Sequence, residues 1–545
     1  MAADTIFFGG DILTVDARRP QAEAIAVRGE RILAVGARQE VFAHRGGLTR
    51  MHNLDGKTLL PGFVHPHSHP ILTGMYQGAP TLDARFFLNP DYAEVERRLR
   101  ERIASANPGE YVVVFGVEYL FYKGQRELSM EDLDRLAPHN PLLVHVNNCH
   151  TIYGNRLAFE RAGVDERTPD PFQGVFVRHA SGKLTGKALE QANKVLLAPY
   201  WAEGGRERWR RALCTQMRLE AEGGYTTTAD LGMRQDYLEY YRDYVDSDQA
   251  LARIAYYDMM RPDGSTSSLP GSGDDRLRQI GVKIWSDGSP YSGNIWLSRP
   301  YRNNSVTLEV MGLPRDCAGH ANFTRERFQA LVEPYFKAGW QIASHSHGDR
   351  AIDMVLDTYA CILERAPRRD HRLRIEHCGG MRDDQIRRAV DLEVTLSFFP
   401  GHIYYYGDAL LDDLFIPEVA ERWMPIGSAK RLGARFSLHN DPPMTPQDAL
   451  LNIQTAVTRR TWHSARVLGE EQCIDVDSAI RAQTIDAAYQ LFMDDRIGSL
   501  APGKYADLTL LSANPRTRAP EQIGSIAVLA TYVGGRKCFD RQADP

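Results

Sequence analysis

Residues 58–69 read Thr58-Leu-Leu-Pro-Gly-Phe-Val-His65-Pro-His67-Ser-His69, and the three histidines that close this run decide how the rest of the chain is read. The run is apolar and β-like up to Val64. Residues two apart on a strand point to the same side, so His67 and His69 can offer both imidazoles to one metal ion. Neutral imidazole is the commonest protein ligand for a metal such as zinc. Isolated H-x-H pairs also occur as surface or hydrogen-bonded histidines, and His65 adds a third imidazole to the choice. Two ligands hold a metal poorly, so a metal site requires more of them further along.

The chain has 545 residues, 43% hydrophobic and 25% charged, with a net charge of −5. That is the composition of a soluble globular protein, without an electrostatic case for nucleic acid or an anionic membrane, and a small-molecule partner is expected. Seven cysteines, at 149, 214, 317, 361, 378, 473 and 538, form no C-x-x-C pair and are too sparse for a disulfide framework, so they read as reduced thiols. The first residues lack the basic start and apolar core of a signal peptide, and no run of about 18 apolar residues follows, which makes the cytoplasm the default. Monomer and homo-oligomer are both open.

Outward from the histidines, residues 4 to 60 alternate short β-like runs with glycine turns: 5–8, 11–15, 24–27 and 31–35, with Gly9-Gly10, Gly29-Glu30 and Gly36 between them. The far end, 498–511 and 526–533, has the same texture. Residues 1–60 and 495–545 are therefore expected to build one composite β-sandwich that brackets residues 61–494. Within that middle, β-rich runs alternate with helical stretches, the pattern of βα units around a parallel sheet. Eight candidate strands, at 59–65, 226–231, 253–259, 281–287, 341–346, 373–378, 394–399 and 435–440, predict a (β/α)₈ TIM barrel. The β-like runs 111–117 and 142–146 are assigned to an insertion of about 72–222 after the first strand, because that gap is too long for one loop.

Functional groups of such a barrel sit at the C-terminal ends of its strands. His67 and His69 follow strand one, Lys283 lies in strand four, His345 ends strand five, His377 ends strand six and Asp441 follows strand eight. Imidazole and carboxylate suit zinc, whereas a protonated lysine does not. Lys283 therefore stays outside the ligand set, pairs with a carboxylate or binds substrate as a cation, or is chemically altered. Reaction of its amine with CO₂ would make a carbamate whose two oxygens could bridge two metals.

Six motifs, in order, are Pro61-Gly-Phe-Val-His-Pro-His-Ser-His69, Lys283-Ile-Trp-Ser-Asp-Gly-Ser289, His345-Ser-His-Gly-Asp-Arg-Ala351, Arg374-Ile-Glu-His377, His439-Asn-Asp-Pro442 and Gly498-Ser-Leu-Ala-Pro-Gly-Lys-Tyr-Ala-Asp507. With them the chain resembles the amidohydrolase superfamily, within it the YtcJ-like branch that includes N-substituted formamide deformylases. The resemblance implies a metal-dependent hydrolase with a barrel and a small composite β domain. It also implies His67, His69, His345 and His377 as ligands, Lys283 as a carboxylated bridge, and Asp441 as ligand and general base. Two positions depart from the pattern: His65 stands where Asp or Glu is usual, and His347 where an apolar residue is frequent. The segment from Asn148-Cys-His150 to Glu190 resembles the inserted region that reaches over the site, which makes His150 a substrate-contact candidate. His402, just beyond strand seven, is another.

The reaction expected is hydrolysis of a C–N amide bond, N-acyl, N-formyl or cyclic, in a small molecule. Metal-bound hydroxide on one or two Zn²⁺ ions would attack, Asp441 would take and pass on the proton, and His150 or His402 would donate to the oxyanion. Trp285, Tyr291 and Tyr404–Tyr406 are candidates for an apolar pocket. Histidines 52, 139, 179, 320, 371 and 463 have no recognisable spacing and read as solvated or capping residues. Two alternatives stand beside this reading. A deaminase of the same superfamily needs a glutamate soon after the strand-five histidine, where this chain has Gly348-Asp349. A non-catalytic scaffold on the same body would be expected to lack several ligands, and all are present.

Overall fold

In the computed structural model, which describes residues 1–542 apart from positions 79, 123, 124 and 126, eight strands pair side by side in chain order and all in parallel. They are β1 (Phe63–Ser68), β2 (Tyr225–Met233), β3 (Arg253–Met259), β4 (Leu277–Trp285), β5 (Gln341–Ser346), β6 (Arg374–His377), β7 (Thr395–Phe398) and β8 (Phe436–Leu438). The seam between β8 and β1 is bridged by single hydrogen bonds, backbone and side-chain, rather than by a ladder. The Val64 N–H donates to the Gln483 carbonyl at 2.9 Å, the Gln483 amide donates to the Leu438 carbonyl at 3.3 Å, and the Asn440 N–H donates to His65 Nε2 at 3.3 Å. Helix Ile485–Gln490 plugs the floor, where Ala487, Ala488 and Leu491 pack with Val64, Ala229, Tyr257 and Ala343. The interior is a packed core with its chemistry at the opposite rim.

The expected first strand, 59–65, is two strands. Thr58–Pro61 pairs with Thr5–Leu13 and Leu508–Leu511, and the barrel strand starts only at Phe63. Gly62 is the joint: its N–H donates to the Asp507 carbonyl at 2.9 Å, and a Cβ there would lie 2.2 Å from Thr226 Oγ1. The expected turn at Gly9-Gly10 is also absent. Thr5–Leu13 runs through as one strand with a register shift between Phe8 and Ile12, which Gly9 absorbs at φ +78°.

Strands from both chain ends form one continuous sheet, in the order 536–540, 528–533, 508–511, 58–61, 5–13, 21–28, 31–36, with 50–53 parallel to 5–13. It rolls over on itself, since the Phe7 and Tyr532 rings lie 5.4 Å apart although two strands separate theirs. The insertion carries a six-stranded sheet that includes both runs assigned to it, Val112–Val117 beside Leu142–Val146, and ends in helices Gln191–Ala202 and Gly205–Glu222. No helix among the described residues is long and apolar enough to cross a membrane.

Candidate metal centre

Between His65 and Ser68, β1 advances three residues while β2 advances two, from Thr228 to Asp230. This bulge at Pro66-His67 breaks the two-residue period and sends neighbouring histidines to different partners. His65 is held by Glu220 of helix Gly205–Glu222 at 2.9 Å and stacks on Tyr225 at 4.6 Å. Its Nδ1 donates to that carboxylate, and its Nε2 is taken by the Asn440 N–H. It has no nitrogen left for a metal. His67 instead donates from Nδ1 to Glu376 at 2.8 Å, and Glu376 is itself fixed by Arg374 at 2.5 and 2.9 Å. That leaves the His67 Nε2 lone pair facing Asp441 Oδ1 at 3.5 Å. His69 follows the strand, with Nδ1 3.5 Å from Asp230 and Nε2 3.2 Å from Asp441.

His67, His69 and Asp441 thus form one group whose donor atoms lie within 4.8 Å of one another, and His345, His347 and His377 form another. His345 donates from Nε2 to the Gly288 carbonyl at 2.8 Å, which leaves its Nδ1 as the lone-pair nitrogen. His377 sits at φ +71° at the end of β6 and meets His439 Nε2 at 3.3 Å, while His439 Nδ1 rests 3.0 Å from Ser397 Oγ. Burial holds the pKa values of His67, His345, His347, His377 and His439 well below the ordinary imidazole value. They are neutral, the form that binds metals.

Lys283 points its amine into this cluster. Nζ is fully buried with no hydrogen-bond partner, and burial lowers its pKa to about 8. Its charge acts on His67, His345 and Asp441, members of both groups. Burial alone would raise the Asp441 carboxyl, but the His69 hydrogen bond and the charges of His69 and Lys283 hold it well below the usual range. Neutral imidazoles beside an ionised carboxylate are a donor set that fits divalent metal, and the orphaned amine joins it only once its positive charge is removed.

One pocket opens onto this cluster, lined by His67, His69, His345, His347, His377 and Asp441 and closed on other sides by His150 and His402. His150 donates from Nδ1 to Glu190 at 2.8 Å; burial is the largest single influence and lowers its pKa, but the carboxylates of Glu190, Asp441 and Asp287 together raise it. His402 accepts the Trp423 indole N–H at Nδ1, 3.4 Å, so its Nε2 carries the hydrogen, and burial holds its pKa down to about 3. Of the aromatic residues expected in the pocket, only Trp285 lines it. Tyr291 and Tyr406 stack on each other at 4.0 Å behind His402, where neighbouring rings shut them off.

Sequence reasoning passed over Asp230, Glu376, Glu220 and Asp287, none of which stands in a ligand-like spacing. Asp287 accepts the backbone N–H groups of His347 and Gly348 at 3.0 and 2.7 Å, which holds the loop after β5; burial raises its pKa to about 7. His439 stood in a quoted motif without a role. The Arg374-Ile-Glu-His377 motif held the one available signal, because Glu376 lies two residues from Arg374 and so on the same side of β6.

The sequence pattern of the Amidohydrolase family matches residues 50–539. The chain belongs to that family. It is 30% identical over 563 residues to Protein LONG AFTER FAR-RED 3 of Arabidopsis thaliana, covering 99% of this chain and 92% of that protein. It is 27% identical over 552 residues to an N-substituted formamide deformylase of Arthrobacter pascens, covering 99% and 98%. The solved structure of an uncharacterized metal-dependent hydrolase from Pyrococcus horikoshii matches with a TM-score of 0.73 at 20% identity, over 95% of this chain and 99% of that one, which bears on the fold.

Proposed function

We propose that this amidohydrolase cleaves a non-peptide C–N amide bond of a small molecule with zinc as its metal. The observation that carries the reading is the gathering of four strand-end histidines and Asp441 into groups of donor atoms within 4.8 Å, with the unpartnered amine of Lys283 close enough for its charge to act on His67, His345 and Asp441. His67, His69 and Asp441 would hold one ion, and His345 and His377 a second. A bound divalent ion supplies Lewis acidity, polarising the amide carbonyl and easing loss of a proton from water. Asp441, ionised and beside both histidine groups, takes that proton and returns it to the leaving amine. The Nε2–H of His402 and the ring of His150 stand in the pocket wall to donate to the oxyanion. The amine of Lys283, partly neutral at pH 8, is suited to add CO₂: its lone pair would form the N–C bond, a proton would leave, and the resulting carbamate would replace a cation by an anion able to serve as a metal ligand.

The test is metal analysis with an amine-release screen over N-substituted formamides, N-acyl amino acids and cyclic amides. About one to two equivalents of zinc and amine release abolished by a chelator are expected. Lys283→Ala should lower occupancy and be partly rescued by added short carboxylates. Full amide hydrolysis by metal-free protein would overturn the reading.

A further inference from the structure

Helix Gln191–Ala202 of the insertion turns Asn193, Lys194, Leu197 and Trp201 toward the pocket, positions spaced to fall on one helical face. Lys194 is a half-buried cation in that wall. No carboxylate among the described residues lies within ion-pair distance of it, and its Nζ sits 5.1 Å from the centre of the Trp285 ring. His150 lies against the same ring at 6.4 Å, and beyond it His345 at 5.3 Å, so the cation and the candidate metal groups share one continuous pocket. Arg234 lines the same region with its guanidinium turned to Asp236 at 3.0 and 2.8 Å.

The acids nearest Lys194 are committed elsewhere. Glu190 binds His150 at 2.8 Å and Asn294 at 2.9 Å. Asp230 accepts from Tyr241 at 2.7 Å and from the Gly232 N–H at 2.9 Å, and Asp236 serves Arg234. Burial and the charge of Arg234 lower the Lys194 pKa to about 8 against the pull of these acids, the mark of a cation short of a partner. The indole N–H of Trp201, in the same wall, is buried and likewise without an acceptor.

We propose that Lys194, backed by Arg234 and Trp285, is an anion subsite that receives a carboxylate borne by the substrate away from its scissile amide. This rests on the amide-hydrolase reading for the word substrate, but the subsite itself can be tested without turnover. A carboxylate there supplies the missing counter-ion through a charge-assisted hydrogen bond, whereas a neutral group leaves the amine unpaired.

The experiment measures binding of 3-phenylpropionate and of neutral 3-phenylpropanol to the full-length, metal-loaded protein and to Lys194→Met, Lys194→Gln and Lys194→Arg, with melting temperature as a control for folding. The expected result is a Kd for the acid raised about tenfold or more in the Met and Gln variants and restored in the Arg variant, with the alcohol unchanged. Acid bound directly to metal would survive Lys194→Met, so the variant series separates the two modes. Equal shifts for acid and alcohol, or no acid binding at millimolar concentration, would overturn the proposal. If the acid result holds while no amide is hydrolysed, the subsite stands and the reaction assignment falls.

Discussion

Asp441 is the residue on which the two histidine groups meet: its oxygens lie 3.2 Å from His69 Nε2, 3.5 Å from His67 Nε2 and 4.0 Å from His377 Nε2. It occupies φ +49°, a left-handed conformation that a short polar side chain tolerates and that turns the carboxylate back over the rim. Its depressed pKa keeps it an acceptor at neutral pH. Asn keeps the shape but cannot accept the proton. Asp441→Asn should therefore lower kcat by about 10²-fold or more, read with metal content measured on the same sample. A near-normal kcat in metal-replete protein would exclude Asp441 as the base and move that role to His150, whose Nδ1 is held by Glu190 and whose Nε2 is free.

At the scale of elements, the insertion forms one wall of the pocket through helix Gln191–Ala202 and places Glu118 just beyond its strand Val112–Val117. Glu118 is buried, its Oε2 has no hydrogen-bond partner, and burial pushes its pKa up to about 8. The folded chain thus keeps a proton that the unfolded chain loses near its ordinary value of 4.5. Between those values the folded state binds more protons, so this group's contribution to stability falls as pH rises. Glu118→Gln has no proton to lose. Its melting temperature relative to wild type should climb from pH 5 to pH 8.5, and a constant offset across that range would show that Glu118 does not titrate there.

At the scale of the molecule, the rolled sheet is joined to the barrel by a buried ion pair. Arg253 of β3 donates to Asp507 at 2.8 and 3.2 Å, both side chains at most 5% exposed, and Asp507 also accepts the Gly534 N–H at 2.7 Å. Arg253 further lies over the Tyr505 ring at 3.7 Å. Removing the carboxylate strands a buried guanidinium, a loss of about 3–5 kcal/mol in comparable pairs. Asp507→Ala should lower the melting temperature by several degrees, and Asp507→Asn by less because it keeps an acceptor. No change in either variant would mean that the junction does not limit stability.

The alternation of β-rich and helical stretches, and the chemistry of the residues at the strand ends, are local properties, so the parallel barrel and the gathering of His67, His69, Lys283, His345, His377 and Asp441 were legible from order and spacing alone. The fate of His65 was not. Its removal from the site needs a bulge at Pro66 and a carboxylate 155 residues away, and the orientation of His67 needs Glu376, 309 residues away. His347, identical in type to its neighbours, joins His345 and His377 only because the loop after β5 is tied to Asp287. Strand period and ligand chemistry belong to the sequence; which nitrogen of each ring is free depends on partners that only tertiary packing supplies, because a hydrogen bond between distant residues leaves no mark on local pattern.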